Sequence, residues 1–253
     1  MQSSNEQDTL SADSCLIIGA SSAIAQKIIS ECLKRDKDAK IVAVSRSTKG
    51  RFTKASKDRV QWIQSDYSET SIIDIASILK EQKLRFRHVI ICNGILHNEN
   101  FSPEKSLSEI EVDNLHEVMR INAFIPTLWV KHLKPILTKS KECTVTAFSA
   151  RVGSIEDNRK GGWYAYRASK AALNMLMKSA SIEYSRSAGR VNFVLFHPGT
   201  TESDLSRPFL ARVKKESIFQ PQLVAEYLLE VLDNRNEDDE LEFLAWNGNS
   251  VAW

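Results

Sequence analysis

A tyrosine and a lysine four residues apart form the first pair in the sequence that could do chemistry. Tyr166 and Lys170 lie in the segment GGWYAYRASKAAL, residues 161–173, where an apolar helical pattern begins. On a helix, side chains at this spacing lie one above the other on a single face. An ammonium beside a phenol favours the phenolate and should lower the phenol's pKa from its usual value of about 10. The spacing therefore predicts a tyrosine that can exchange protons near neutral pH.

The elements that position this pair alternate regularly along the chain. Short apolar, β-branched runs predict strands at 16–20, 41–45, 60–64, 88–92, 143–148, 191–196 and 241–245. Helical periodicity predicts helices at about 24–33, 72–79, 107–138, 164–185 and 221–233, with a break or bend near Pro126. This order predicts a single doubly wound α/β domain, a Rossmann-type parallel sheet of about seven strands with helices on both faces. We place the domain at 14–253 and expect residues 1–13 to form a flexible polar tail.

Composition argues against several classes of partner. The formal net charge is +2, from 34 Lys+Arg and 32 Asp+Glu, so we expect no nucleic-acid partner. No apolar run approaches the roughly 18–20 residues of a membrane helix, and the first residues lack the basic and apolar stretches of a signal peptide. The four cysteines have no metal-ligand spacing, which suggests buried thiols in a reducing compartment. We therefore expect a cytoplasmic protein with no metal site and no membrane partner.

The turn after the first predicted strand is where a doubly wound sheet binds a dinucleotide. Such a turn uses one glycine for a positive φ, a second for close approach to the pyrophosphate and a third for tight helix packing. Gly19 is present, but Ala23 and Ala25 occupy the other two positions, and Ala23 adds a methyl group where phosphates would pass. The following helix N-terminus still offers N–H groups and a positive dipole to an anion. The predicted cofactor contacts here are Gly19, Ser21, Ser22, Ala23 and Ile24.

The end of the second predicted strand indicates which dinucleotide would bind. Sites that select NAD place an acidic residue there for the ribose hydroxyls, whereas this chain has Ser45 followed by Arg46. A guanidinium is suited to a 2′-phosphate. We therefore predict NADP (NADPH) as the cofactor, with Ser45 and Arg46 at its adenosine end.

Together with four further stretches, these residues resemble the short-chain dehydrogenase/reductase family. Cys92-Asn93-Gly94 resembles the family's Asn-Ala-Gly turn, and Asn122 lies where the family has its structural and catalytic asparagine. YRASK, residues 166–170, matches the Tyr-x-x-x-Lys signature, and HPGTTES, residues 197–203, resembles the Pro-Gly segment that lies over the nicotinamide. Residues 148–175 and the C-terminal FLAWNGNSVAW are similar to a subgroup related to C-factor cell–cell signalling proteins and small carbonyl reductases.

The resemblance implies an oxidoreductase that transfers hydride between NADP(H) and a small carbonyl or alcohol substrate. Tyr166 would donate a proton to the carbonyl oxygen, Lys170 would hold the nicotinamide ribose, and Asn122 would anchor a water chain to Lys170. Other family positions imply cofactor contacts at Asp66, Asn93, Gly94, Pro198, Gly199, Thr201 and Ser203. Asp66 could equally cap the next helix. The helix at 164–185 is apolar on more than one face, which fits a homodimer or homotetramer formed through the two long helices.

Departures from the family pattern leave alternatives open. Ala150 stands where the family has its substrate-orienting serine, so Ser149 or Ser154 would have to supply that hydroxyl, and we predict Ser149. Trp163 could line a substrate pocket or simply pack. The alanines at functional positions also fit a second hypothesis, a dinucleotide-binding signalling or regulatory protein with little turnover. An exposed, merely structural helix pair at Tyr166 and Lys170 is the simplest alternative, but the combination with Asn122 favours the enzyme.

Overall fold

The structure is a computed structural model that describes residues 14–47, 58–140, 142–187, 190–235 and 241–253. The predicted tail, residues 1–13, lies outside the described residues. The strands are β1 Ser14–Ile18, β2 Ile41–Ser45, β3 Val60–Gln64, β4 Phe86–Ile91, β5 Glu142–Phe148, β6 Arg190–His197, β7 Thr200–Thr201, β8 Ile218–Phe219 and β9 Leu241–Ala245. The helices are α1 Ala23–Arg35, α2 Glu69–Glu81, α3 Val112–Met119, α4 Ile125–Leu137, α5 Tyr164–Ser185 and α6 Pro221–Asn234.

Seven of these strands form one parallel sheet in the order β3-β2-β1-β4-β5-β6-β9. Helices α2, α4 and α5 cover one face and α1 and α6 the other, each over its own apolar core. Because both faces are covered, every residue of β1 and β2 is buried, as expected for inner parallel strands. The predicted single doubly wound domain is confirmed. The small parallel pair β7-β8 was not predicted from the sequence.

The position of the functional crevice follows from the strand order. From β1 the chain proceeds outward through β2 to β3, then returns to build β4 on the other side of β1. Open α/β sheets bind ligands at such a switch point, beyond the carboxyl ends of the strands. Gly19 follows β1, Asn93 lies just after β4 and Ser149 follows β5, so the sheet brings these predicted site residues to one edge.

The helical region predicted at 107–138, with a break or bend near Pro126, is two α-helices separated by a π-helical segment, Arg120–Phe124. Pro126 explains the interruption, because it has no N–H to donate to the carbonyl of Asn122 four residues earlier, and its ring would clash there. The chain widens, and the N–H of Ile125 bonds to the Arg120 carbonyl five residues back. Residues 107–109 form only a short 3₁₀ turn, so the α-helix begins at Val112.

Apolar residues on α5 divide between the core and the surface. Leu173 and Met177 are buried under the sheet, whereas Met175 is 67% exposed and Ile182 is 40% exposed. The surplus apolar surface that was predicted for this helix is therefore present. Across the residues that the structure describes, no helix is both long and apolar enough to span a bilayer. The same residues contain no cluster of His, Cys, Asp and Glu arranged to bind a metal.

Core packing predicts a large difference between two leucine substitutions. Leu133→Ala, at a fully buried position of α4, should lower the free energy of unfolding by about 2–5 kcal/mol, because it removes apolar contacts and leaves a cavity. Leu107→Ala is the matched control, since Leu107 is 71% exposed, and it should change stability by less than about 0.5 kcal/mol. Urea unfolding of both variants checks the prediction. Equal losses would contradict the assignment of α4 to the core.

Candidate active site

Tyr166 and Lys170 lie in the first two turns of α5, and both are buried: their exposed fractions are 9% and 3%. The helix is held at its start by Glu104, whose carbonyl accepts the N–H of Trp163 and whose buried carboxylate accepts the N–H of Ala165 at 3.2 Å. A carboxylate at this end also complements the helix dipole. The pair is therefore an interior feature on an anchored helix, which contradicts the alternative of an exposed surface pair.

Lys170 reaches from α5 to the carboxyl end of β5. Its Nζ donates a 2.7 Å hydrogen bond to the carbonyl of Phe148 and lies 5.8 Å from the centroid of the Tyr166 ring. An ammonium has three N–H donors. The structure describes no second hydrogen-bond partner for this Nζ and none for the Tyr166 hydroxyl. A buried charge with unfilled donors is unfavourable by itself, so the arrangement is suited to a polar ligand.

The pKa values depart from the sequence-based prediction. Burial raises the pKa of Tyr166 to about 12, and burial lowers the pKa of Lys170 to about 8. The predicted lowering of the tyrosine's pKa by its neighbour is therefore wrong for the chain as it stands. The physical reason is that removal from water disfavours the charged form of each group and outweighs their mutual attraction.

Asn122 lies in the π-helical segment and is fully buried. Its side-chain oxygen accepts the N–H of Ile95 at 2.7 Å, and its amide donates to the carbonyl of Ile95 at 2.9 Å and to the Ser169 hydroxyl at 3.0 Å. Asn122 thus joins the loop after β4 to α5 beside the Tyr166–Lys170 pair. Its predicted role in a water chain stays a prediction.

The space beside Gly94 is where these groups meet. A Cβ placed on Gly94 would lie 3.7 Å from Asn122 Oδ1, 3.9 Å from Lys170 Nζ and 3.8 Å from a methyl carbon of Leu205. The first two are polar atoms of the proposed machinery, and the third belongs to the loop after β7. Leu205 therefore lies beside Gly94, near Asn122 and Lys170.

Neither candidate for the substrate-orienting hydroxyl is left free. The Ser149 hydroxyl is buried and donates to Asn174 Oδ1 on α5 at 2.6 Å. The Ser154 hydroxyl donates to the carbonyl of Trp253 at 3.1 Å and accepts the N–H of Asp157 at 3.0 Å. Ser154 therefore has a structural role in its loop. The predicted substrate contact of Ser149 stays a prediction and would require its hydroxyl to leave Asn174.

The turn after β1 requires a glycine at its first position. Gly19 has a φ of +79°, and a Cβ there would come within 2.9 Å of the Cys92 carbonyl carbon and 3.0 Å of Asn93 N. Ser22 is the N-cap of α1, because its hydroxyl accepts the N–H of Ala25 at 3.2 Å. The remaining predicted contacts, Ser21, Ala23 and Ile24, lie at the exposed or half-buried start of this helix. Ala23 is exposed, so its methyl group points away from the core.

A cavity of about 410 Å³ lies beyond β2 and β3 and is lined by Arg46, Gln64, Ser65, Asp66 and Ser71. Arg46 is exposed there, as expected for a residue that receives a phosphate. Ser45 is buried, and its hydroxyl donates to the carbonyl of Ser47 at 2.8 Å, so it shapes the turn. Asp66 accepts hydrogen bonds from the N–H and hydroxyl of Ser68, the N-cap of α2, and these bonds lower its pKa. Ser68, and not Asp66, therefore caps α2, so the capping alternative for Asp66 is wrong, and its predicted cofactor contact stays a prediction.

The remaining predicted cofactor residues lie after β4 and between the end of β6 and the loop after β7. Asn93 Oδ1 and Thr201 Oγ1 are buried and have no hydrogen-bond partner among the described residues. Gly199 has a φ of +72°, which lets the chain turn between Pro198 and β7. Ser203 N is bonded to the Ser206 hydroxyl at 3.1 Å, so it supports the loop that carries Leu205.

These residues fit a dinucleotide. The Gly19 turn packs tightly against the backbone of Cys92 and Asn93, beside the N-terminus of α1, and the cavity at Arg46 lies beyond β2 and β3. The orphaned oxygens of Asn93 and Thr201 and the unfilled donors of Lys170 lie along the rest of the crevice. Buried polar groups without partners are rare and indicate a missing ligand or water.

Sequence reasoning missed three residues that support this crevice. Tyr67 has a φ of +63°, and its hydroxyl accepts the N–H of Gly19 at 3.1 Å, which ties the glycine turn to the loop after β3. Glu104 anchors α5, and His97 holds the loop after β7 through its ring Nε2, 3.1 Å from the carbonyl of Leu205. None of these residues belongs to a periodic pattern or a motif. The two glycines before Trp163 were the available signal for the unusual turn that precedes α5.

The chain is similar in sequence to known proteins. The chain is 25% identical to 1-hydroxy-2-glutathionyl-2-methyl-3-butene dehydrogenase of Rhodococcus sp. over 94% of this chain and 98% of that protein. It is 31% identical to C-signal of Myxococcus xanthus over 58% of this chain and 84% of that protein, which bears out the predicted likeness to C-factor.

The fold is also that of solved oxidoreductase structures. The NADPH-bound carbonyl reductase from chicken fatty liver is similar with a TM-score of 0.79 and 24% identity, over 95% of this chain and 98% of that one. The family model for the short chain dehydrogenases matches residues 13–213. The chain therefore belongs to the short-chain dehydrogenase family.

Proposed function

We propose that this protein is an NADP-dependent oxidoreductase of the carbonyl reductase type, with Tyr166 as the acid/base. It would transfer hydride between the nicotinamide of NADP(H) and the carbonyl or alcohol carbon of a small molecule. The observation that carries the proposal is the buried Tyr166–Lys170 pair, whose hydroxyl and ammonium retain free hydrogen-bonding capacity at the edge of the crevice. Membership of an oxidoreductase family supports it.

The residues that would hold the cofactor are spread along the crevice. Arg46 would bind the 2′-phosphate, the Gly19 turn and the start of α1 would bind the pyrophosphate, and Lys170 would bind the nicotinamide ribose. The NADPH of the structurally similar carbonyl reductase supports the choice of cofactor. When bound, NADPH would supply the hydride, and residues of the chain would supply the proton.

In reduction, Tyr166 would give its proton to the carbonyl oxygen of the substrate. Its pKa of about 12 keeps the phenol protonated at neutral pH and therefore ready to act as an acid. The phenolate left behind is a stronger base than Lys170, whose pKa is about 8, so a proton can pass through water from the ammonium to the tyrosine. The order of the two pKa values thus gives proton return a favourable direction. This pair favours an enzyme over the low-turnover signalling alternative.

We also infer self-association through the long helices. Phe124, Met175 and Ile182 are large apolar residues exposed on the π-helical segment and α5. Exposed apolar surface of this kind is typical of subunit contacts, and a homodimer or homotetramer would cover it. The cytoplasmic location stays a prediction.

Removal of the Tyr166 hydroxyl tests its role as the acid. Tyr166→Phe should lower kcat for carbonyl reduction by at least about 10²-fold, because the ring remains but the proton donor is lost. Its Kd for NADPH, measured by fluorescence titration, should stay within about twofold of the parent value. Tyr164→Phe, two residues earlier on the same helix, is the matched control and should keep its activity. Normal turnover by Tyr166→Phe would refute the assignment.

Substitution of Arg46 tests the choice of cofactor. The parent protein should bind NADPH more tightly than NADH. Arg46→Ala should reduce the ratio of the two affinities by about 10- to 100-fold, because a charge-assisted contact to the 2′-phosphate is lost. Arg85→Ala removes an equal charge directly before β4, at the amino ends of the parallel strands, and should leave the preference unchanged. Calorimetric titration with both cofactors measures the ratio. Equal affinities in the parent protein would contradict the prediction.

Burial of Lys170 predicts a specific pH dependence of stability. The pKa of Lys170 is about 8 in the fold and 10.5 as an ordinary lysine, so between these values the unfolded state holds a proton that the folded state has released. Stability should therefore rise with pH through this window. The Lys170→Met variant lacks the titrating group, so its free energy of unfolding should not show this rise. Its stability relative to the parent should therefore fall as the pH goes from about 7.5 to about 9.5.

Urea unfolding of the parent and of Lys170→Met at both pH values provides the measurement. Lys178→Met, at an exposed position of the same helix, controls for the loss of one lysine and should behave like the parent. A constant difference between the parent and Lys170→Met at the two pH values would show that the ammonium is not buried in solution.

A further inference from the structure

One buried hydroxyl joins the carboxyl ends of four neighbouring strands. It belongs to Tyr67, which follows β3 and is buried in the core. The hydroxyl accepts the N–H of Gly19, after β1, at 3.1 Å and donates to the carbonyl of Val44, in β2, at 3.3 Å. It also forms a hydrogen bond with the side chain of Asn93, after β4. Because β3, β2, β1 and β4 are consecutive in the sheet, a single side chain connects one half of the crevice.

These three bonds use the full hydrogen-bonding capacity of the Tyr67 hydroxyl. A phenol hydroxyl has one proton to donate and two lone pairs that can accept. The Val44 carbonyl takes the proton and the Gly19 N–H takes one lone pair, so the Asn93 side chain donates its amide N–H to the other. Asn93 Oδ1 agrees with this assignment, because it is buried and has no hydrogen-bond partner among the described residues. Tyr67 therefore fixes the orientation of the Asn93 amide and leaves its oxygen as an unused acceptor.

The backbone that places this hydroxyl is in a conformation that residues with side chains rarely adopt. Tyr67 has a φ of +63°, in the left-handed region. Its N–H donates to Ser65 Oγ at 3.0 Å, and Ser65 Oγ lies 2.9 Å from the hydroxyl of Ser71 in the first turn of α2. Strained residues that are held firmly are concentrated at ligand-binding sites. The strain at Tyr67 is therefore better explained by a ligand site than by packing alone.

A second buried tyrosine shows what a purely structural hydroxyl looks like in this chain. Tyr184, at the other end of α5 from Tyr166, donates to the carbonyl of Val130 on α4 at 2.6 Å. Tyr67 differs in that two of its partners, Gly19 and Asn93, are predicted cofactor contacts. It also leaves a buried carbonyl oxygen unpaired, which indicates a missing donor. The ribose hydroxyls of a dinucleotide are donors of that kind.

We propose that Tyr67 is a positioning residue for the dinucleotide. Its hydroxyl holds the Gly19 turn in place and orients Asn93 so that Oδ1 accepts a hydrogen bond from a ribose hydroxyl. The inference rests on the proposed function, because it concerns the cofactor of the same site. Tyr67 acts through Gly19 and Asn93 and not on the reacting atoms, so its hydroxyl should contribute to cofactor affinity.

Removal of this hydroxyl tests the proposal. Tyr67→Phe keeps the ring and should raise the Kd for NADPH by about tenfold, because the Asn93 amide loses the partner that orients it. Tyr184→Phe is the matched control, since it also removes one buried hydroxyl, and its Kd should stay within about twofold of the parent value. Calorimetric titration of the four proteins, including Asn93→Ala, measures the Kd values. Urea unfolding verifies that each variant is folded and shows the loss of stability that both tyrosine variants should share.

A double-mutant cycle tests whether Tyr67 acts through Asn93. Asn93→Ala removes the acceptor and should by itself raise the Kd for NADPH by about tenfold. Independent residues would give the Tyr67→Phe/Asn93→Ala double variant a Kd about 100-fold above the parent value. Because the two residues act as one unit, the increase should be about 30-fold or less.

The outcomes distinguish this inference from the proposed function. If the folded parent protein does not bind NADPH, the proposed function fails and this inference fails with it. If the parent binds NADPH but Tyr67→Phe loses no more affinity than Tyr184→Phe, the hydroxyl is only structural. The inference is then wrong and the oxidoreductase proposal stands. A double variant that shows the full product of the two single losses also overturns the inference, because Tyr67 and Asn93 then act separately.

Discussion

The burial of one incompletely bonded ammonium is the constraint on which the rest of this account depends. Lys170 lies inside the protein with a single described hydrogen bond, to the carbonyl at the end of β5. Removal from water lowers its pKa, and the unfilled donors leave the site incomplete without a ligand or water. Gly153 makes this position possible, because a Cβ there would come within 2.8 Å of the Lys170 Cβ. A dinucleotide ribose is a chemically suitable partner for those donors.

The surrounding contacts hold α5 against the sheet so that Tyr166 and Lys170 face one crevice. Glu104 bonds the first turn of α5, Asn122 bonds Ser169 in the second, and Ser149 bonds Asn174 in the third. The three contacts come from the loop after β4, from the π-helical segment and from the end of β5. The π-helical segment is part of this arrangement, since it carries the buried Asn122 that joins the loop after β4 to α5.

The fold was predictable because buried parallel strands and the helices that cover them have different hydrophobic periodicities in the sequence. The spacing of Tyr166 and Lys170 alone was enough to place both on one face of a helix. Pro126 predicted an interruption of the long helix, but periodicity contains no information on hydrogen-bond register, so the π-helical form of that interruption was not predicted. Spacing shows which groups are neighbours but does not show how deeply they are buried. Burial raises the pKa of Tyr166, whereas spacing alone predicted a lowered pKa. The hydroxyl of Ser149 depends on a tertiary neighbour, Asn174, that no local pattern reveals.

The most direct test of the central claim is a crystal structure of the protein with bound NADPH. We expect the nicotinamide ribose hydroxyls within hydrogen-bonding distance of Lys170 Nζ, about 2.7–3.2 Å, and the 2′-phosphate on Arg46. The Tyr166 hydroxyl should face the nicotinamide across the space for a substrate carbonyl. A complex in which the nicotinamide lies outside the crevice, or in which Lys170 contacts no part of the cofactor, would contradict the account.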